Sequence, residues 1–507
     1  MHSWSQSAPA LFVCTPVMDR KFGRLTPAMQ DARRDNAHLG VYLLLGHLRR
    51  AGCSCDVLDW VAESPEMTDE DVASIASQYR IVFFSCNSMN WAAVRLVAKR
   101  ARELSPDIRL CIGGPHPTMY PDAVAASGLF DAYFRGEADR AIACIYEALL
   151  DGKSLQKPIP GLWAPMLGAV ERPQLFQDDH LDELDWHVDY HRIPAGKFLC
   201  VPVETSRGCK YRCAFCSIPS KTNWRHYSVE TARQQLEYAR SYVDRTLYGK
   251  ISIIDDTFTT DHQRIIDLCA KLPLEPFQRR LMFDATLVDL SNAALVAAIK
   301  PFVSDLLVGA EVSTVEDAKK ITKPTSPKLI HRAAANLRDA GIASRAVFSF
   351  IIGFPWQTVD ECLQTVTFLT NLILDYGVRV YLQWYWPMPG SEIWQSLEQE
   401  GRVHISMADT PGFYRSPTWF YSVRKITPDD LRRVDDRIRP LQMCLSLARP
   451  LDFASGRRPL EHSPPDLDEN GSGWETYRNP FMQPMVERPS SLQSGESVPV
   501  SQGRVDA

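Results

Sequence analysis

Thr205-Ser-Arg-Gly-Cys209-Lys-Tyr-Arg-Cys213-Ala-Phe-Cys216-Ser217 is the stretch on which the reading of this chain turns. Its three cysteines stand at spacings of four and three. They follow Val201 to Glu204, which reads as the end of a strand beginning near Phe198. One such loop brings three thiolates onto a compact metal centre, and iron–sulfur clusters take thiolate ligands. A four-iron cluster held by three cysteines keeps one iron open for substrate chemistry. A structural zinc site wants four protein ligands, often as two separated pairs. No second Cys-x-x-Cys occurs, so zinc would need Cys200 or His226 as its fourth ligand.

Downstream, helical and strand patterns alternate. Ser228 is placed to cap a helix whose apolar positions are Val229, Ala232, Leu236, Ala239 and Val243. Strands are expected at 251–254, 281–285, 305–308, 346–352 and 380–386. They end in Asp255-Asp256, Gly309 to Ser313, Gly353-Phe-Pro and Pro387-Met-Pro-Gly390-Ser391. Polar residues at the carboxyl ends of barrel strands are where active sites collect. Of the aromatic run Tyr381, Trp384, Tyr385 and Trp386, half should face the core through strand alternation.

Upstream, short apolar runs also alternate with helices. Strands are expected at 11–14, 55–58, 81–84, 110–112 and 131–134, with helices at 39–48, 91–104 and 138–150. This order predicts a parallel sheet covered on both faces, with ligands beyond its carboxyl ends. The loops there are Thr15-Pro16, Ser85-Cys86-Asn87-Ser88, Gly113-Gly114-Pro115-His116-Pro117-Thr118 and Gly136-Glu137. Residues 151–195 read as a linker, 402–455 as helical, and 456–507, rich in Pro, Ser and Gly, as disordered.

Composition sets the outer limits. The chain has 507 residues, 45% hydrophobic and 23% charged, with net charge −5. That is the profile of a soluble globular protein of several domains. It argues against a general nucleic-acid binder. No apolar run is long enough for a membrane span, and Met1 to Cys14 lacks the basic and apolar regions of a secretory signal. A cytoplasmic location is expected. Ten of the 13 cysteines lie outside the triplet and read as small buried hydrophobes. Arg207, Lys210 and Arg212 read as a solvated loop or as balance for the cluster's charge.

The cysteine stretch resembles the signature of the radical S-adenosylmethionine (SAM) superfamily, and Phe215 matches the aromatic common before the third cysteine. The strand endings resemble those of cobalamin-dependent members over about residues 196–400. The N-terminal loops resemble the cobalamin-binding domain of the same enzymes over roughly residues 9–150. The resemblance implies a [4Fe-4S] cluster on Cys209, Cys213 and Cys216. It implies SAM contacts from Phe215, Asp255, Glu311 and Ser349. It implies cobalamin contacts from Thr15, Ser85, Asn87, Gly113, Gly114, His116, Thr118 and Glu137. Asp255 also suits a helix N-cap, and Glu311 an ion pair. Asp35-Asn-Ala-His38-Leu-Gly40 lacks the Asp-x-His-x-x-Gly spacing that supplies a histidine below cobalt in other cobalamin proteins. His38 therefore reads as a helix start.

The fold expected is α/β: a Rossmann-like cobalamin-binding domain at 9–150, a linker to 195, and a partial (β/α)6 radical SAM barrel at 196–400. A helical C-terminal extension to 455 and a disordered tail follow. The implied activity is transfer of a methyl group, through methylcobalamin, to an unactivated carbon of a natural-product or peptide substrate. An electron donor such as flavodoxin or ferredoxin is the implied partner. The motifs leave open a cyclase or rearrangement enzyme without net methyl transfer. They also leave open a non-enzymatic cobalamin sensor with a structural metal.

Overall fold

A computed structural model describes residues 8–21, 24–27, 37–63, 67–413 and 417–447. The expected disordered tail lies outside the described residues. The N-terminal sheet contains β1 (Ala10–Cys14), β2 (Cys55–Asp59), β3 (Ile81–Ser85), β4 (Arg109–Gly113), β5 (Ala132–Phe134) and β6 (Leu162–Trp163). Their spatial order is β2-β1-β3-β4-β5-β6. All pairings are parallel except the last. The segment read as a linker thus adds an antiparallel edge strand.

Both faces of this sheet are covered, which is why its strands are nearly continuous apolar runs. Phe12 and Phe83 stack at 4.9 Å on the side of α1 (Leu39–Arg50). Leu11, Val13, Val82 and Phe84 pack on the other side with Val94 and Val97 of α2 (Trp91–Leu104). The last helix of this module, α3 (Ile142–Asp151), starts later than its apolar pattern implied. The stretch after Gly114 is not an open loop as read. Pro115–Met119 forms a short helix, with proline at a first-turn position where no N–H is needed.

The second sheet is all parallel: β7 (Cys200–Val203), β8 (Lys250–Ile253), β9 (Leu281–Thr286), β10 (Val303–Glu311), β11 (Ala346–Ile352) and β12 (Arg379–Trp384). They stand side by side in chain order, as a partial barrel requires. Outward residues such as Ile251, Phe283, Leu306 and Phe348 pack in the main core with the helices. These include α4 (Val229–Arg240), α5 (His262–Lys271), α6 (Val315–Lys320), α7 (Pro327–Asp339) and α8 (Val359–Tyr376). Ser228 caps α4 as expected. The cap of α5 is Asp261 and not Asp255. Beyond α9 (Glu392–Gln399), the extension ends in α10 (Pro428–Leu447), which packs on α8. No helix of the described residues is long and apolar enough to cross a membrane.

Candidate active site

The cysteine loop leaves β7 through a two-residue antiparallel pairing of Ser206–Arg207 with Arg225–His226. Gly208 then turns the chain at φ +78°, where a Cβ would lie 2.2 Å from the Asn223 carbonyl. Only glycine fits there. The loop is tied down on two sides. The Ala214 amide donates to the Ile321 carbonyl at 2.9 Å, and the Ile393 amide donates to the Ala214 carbonyl at 3.0 Å. The Tyr211 amide donates to Cys209 Sγ at 3.4 Å. Cys209 is buried, Cys213 and Cys216 half-buried. Burial pushes the Cys213 thiol up to about 11, against the pull of the nearby Lys323 ammonium.

The spacing of these sulfurs argues against a mononuclear zinc site. Zinc holds each thiolate at about 2.3 Å, which sets sulfurs roughly 3.8 Å apart. Among the described residues, the three-ligand group with donor atoms within 4.8 Å of one another is Cys14, His38 and Asp59, and not the loop cysteines. The three loop thiols are thus not gathered as tightly as one zinc ion would draw them.

Around the loop stand the barrel strand ends. Asp255 is buried and committed to the loop's first residues. Its oxygens accept from the Thr205 amide (2.6 Å), Thr205 Oγ1 (2.6 Å) and Ser206 Oγ (2.7 Å). Glu311 closes β10 at φ +63°, where the register slips between Gly309 and Glu311. Its Oε1 accepts from Lys323 Nζ at 2.8 Å, so the ion-pair reading of this residue holds. A Cβ on Gly309 would meet Lys323 Nζ at 2.7 Å and Glu311 Oε1 at 2.9 Å, so the glycine makes room for the pair. Phe215 lies under the same ammonium, 5.8 Å from ring centroid to Nζ. Ser349 sits between Gly309 and Tyr381 in register, on the lumen side of β11.

The lumen carries an acid that no motif marked. Phe283 and Ala285 face the core, so strand alternation turns Asp284 inward. Solvent reaches its side chain, although protein walls surround it. Burial, with Glu311 next, pushes its carboxyl up to about 7. At the junction with the N-terminal module, burial likewise lifts Glu204 to about 7, against its partner Arg207.

At the end of the N-terminal sheet, the predicted contacts divide into two groups. Thr15 Oγ1 and His116 Nε2 are buried with no hydrogen-bond partner among the described residues. Gly113, in register with Ser85, has open space where a Cβ would point. These fit a bulky ligand with polar edges lying on β1, β3 and β4. The remaining contacts are engaged by the fold. Asn87 Oδ1 accepts from the Met89 amide (2.8 Å) and the Asn90 amide (3.1 Å). Thr118 Oγ1 donates to the Gly114 carbonyl at 2.8 Å and accepts from the Gly136 amide at 3.1 Å. Gly114 turns at φ +103°, its Cβ position 2.7 Å from the Cys86 carbonyl.

Glu137 joins the two modules. Its oxygens accept from Arg225 Nη2 (2.6 Å), Arg207 Nη1 (3.0 Å) and the Asp178 amide (3.1 Å). Arg207 also donates to Asp139 (2.8 and 3.0 Å) and Glu204 (2.6 Å). Far from a solvated loop residue, Arg207 turns inward one position before Gly208. Lys323, Asp139 and Arg225 lacked any signal in the sequence, because each acquires its role from a partner elsewhere in the chain, and Asp284 lacked one because only the barrel wall gives it its setting.

Comparison with known proteins agrees with this layout. Residues 203–369 match the Radical SAM superfamily, and residues 26–145 match the B12 binding domain. An uncharacterized methyltransferase of Pyrococcus horikoshii is 28% identical over 355 residues, 67% of this chain and 74% of that one. Hopanoid C-2 methylase of Rhodopseudomonas palustris is 24% identical, over 61% of this chain and 55% of that one. The fold matches the radical SAM methyltransferase TsrM of Kitasatospora setae with TM-score 0.58 at 15% identity, covering 78% of this chain and 76% of that one. Two modules in one chain, a B12-binding sheet and a radical SAM barrel, define a cobalamin-dependent radical SAM enzyme. The relatives that share this pairing are named methyltransferases, and the cofactors that the two modules take are a [4Fe-4S] cluster, SAM and cobalamin.

Proposed function

We propose that the chain moves the methyl group of SAM, by way of cobalamin, to an unactivated carbon of a natural-product or peptide substrate at the mouth of the barrel. The observation that carries this reading is the abutment of the two ligand-facing ends. Met119, at the end of the short helix after β4, reaches Gly390 after β12, its Sδ 2.5 Å from where a Cβ would sit. Bound at these places, the cofactors supply a methyl carrier and a source of a carbon-centred radical.

The chain's own side chains do the rest. Cys209, Cys213 and Cys216 hold the cluster. Phe215, Glu311 and Ser349 border the open side of the loop and suit contact with SAM, while Asp255 holds the loop's first residues. Gly113 and Thr15 leave space and a polar edge for the corrin. Asp284, without a hydrogen-bond or ion-pair partner among the described residues, is placed to accept from a donor on the substrate. The twelve described cysteines are free, in keeping with the reducing cytoplasm.

The test is anaerobic incubation of reconstituted protein with cobalamin, a strong reductant, SAM labelled with deuterium in its methyl group, and candidate substrates from the genomic neighbourhood. A product gaining one labelled methyl, together with 5′-deoxyadenosine, supports the reading. Product of unchanged composition with 5′-deoxyadenosine replaces it by a rearrangement. No 5′-deoxyadenosine at all rejects radical chemistry.

A further inference from the structure

We infer that the surface joining the cysteine loop to α6 is the docking face for an acidic protein carrying single electrons, an inference that rests on the cluster reading above. Radical formation consumes an electron that neither SAM nor this chain provides, so a carrier must approach the cluster from outside. The structure has an open concavity of ≈ 520 Å³ at the loop, lined by Tyr211, Val315, Lys319, Thr322, Lys323 and Pro324 among others. Its inner wall is close to the sulfurs: the amide of Tyr211 donates to Cys209 Sγ at 3.4 Å, and Lys323 Nζ lies 5.8 Å from the ring of Phe215, the residue before Cys216. Its backbone is continuous with the loop through the Ala214 amide bond to the Ile321 carbonyl. An electron arriving here has a short path.

The chemistry of the rim selects the partner. Lys319 and Lys320 end α6, both are exposed, and neither forms an ion pair among the described residues. Lys320 rests on the face of Trp356, 5.5 Å from the ring centroid. Lys210 and Arg212 are exposed on the loop itself. Lys210 Nζ lies 5.1 Å from the Tyr211 ring, and Arg212 is balanced by Glu392 at 3.6 Å. The centre of the patch is apolar, with Val315 42% exposed. Cations around a small apolar centre, on a chain of net charge −5, attract an acidic protein to this face. Small, transient interfaces are usual for electron carriers. In the step itself a flavin hydroquinone gives up one electron and becomes the semiquinone. A cluster held by Cys209, Cys213 and Cys216 would receive that electron, with no bond formed or broken.

The experiment uses the full chain with its cluster reconstituted, and flavodoxin in the hydroquinone form as donor. Cluster reduction is followed by electron paramagnetic resonance at low and high salt, with dithionite as a small reductant in parallel. The variants are Lys319→Glu/Lys320→Glu and, as a remote control of equal charge, Lys99→Glu/Lys153→Glu. The expected result is a flavodoxin rate about tenfold lower in the first variant at low salt. Its salt dependence should be flattened and its dithionite rate unchanged, while the control behaves like the parent. An unchanged flavodoxin rate in the first variant, or an equal loss in the control, overturns the docking face. If dithionite yields no reduced-cluster signal in the parent, the cluster reading itself fails, a distinct outcome.

Discussion

At Gly208 one missing Cβ decides whether the cysteine loop can form. The left-handed turn and the Asn223 carbonyl at 2.2 Å exclude any side chain. Gly208→Ala should therefore lose most of its cluster absorbance on reconstitution, and its iron content should fall in parallel. His116 makes a second point at this scale. It is fully buried, stacked on Trp91 at 4.4 Å, with Nδ1 3.0 Å from Ser88 Oγ. Burial pushes it down to about 4. The unfolded chain takes up a proton below about pH 6.5, while the folded chain resists until near pH 4. Its contribution is thus fully present above pH 6.5 and is lost as pH falls toward 4, by up to about 3 kcal/mol. His116→Gln should flatten the unfolding free energy across that window, as read by denaturant titration.

The elements show what patterning reaches and where it stops. Strand β11 and helix α2 fall where apolar spacing put them, because each buries a long apolar surface. Ser228 was legible as a cap for a similar reason: the signal is local, a hydroxyl just before an amphipathic run. Strand β10 shows the limit. Its last residue bends to φ +63°, and its carboxylate finds Lys323 twelve residues on, beyond α6. No local pattern encodes that meeting. Both partners are largely buried, so removing one leaves the other charge uncompensated. Lys323→Met should cost about 3–5 kcal/mol, read as a lower thermal midpoint. Lys323→Met/Glu311→Gln should recover much of the loss.

Across the whole molecule, the junction between the sheets is polar, and Arg207 is its centre. Its guanidinium bonds two carboxylates of the N-terminal module and one of the barrel. Burial drives the Asp139 carboxyl up, but Arg207 outweighs it and holds the group below its ordinary value. In the parent this bond is therefore complete at neutral pH and is lost only as acidity passes below the usual carboxylate range. Arg207→Met leaves Glu204 and Asp139 without their shared cation, beside Glu137, which keeps Arg225. The variant should be larger by small-angle scattering at neutral pH. It should become more compact as the pH falls toward 5 and the acids take up protons. A variant as compact as the parent at neutral pH would remove the junction from any role in holding the modules together.

The chain's own order of residues settled the two modules, all their strands but β6, and the three-cysteine loop. These depend on periodicity, on glycine at forced turns and on ligands close together in one segment, all of which are local. Folding alone decided that Asp255 serves the loop's first residues and that Glu137 joins the modules. It also decided that Asp284 has no partner among the described residues and that Lys319 and Lys320 lie beside the loop's outer face. Those roles arise from charges and hydrogen bonds between residues tens to hundreds of positions apart. Such interactions depend on distance in space, which a linear pattern does not carry.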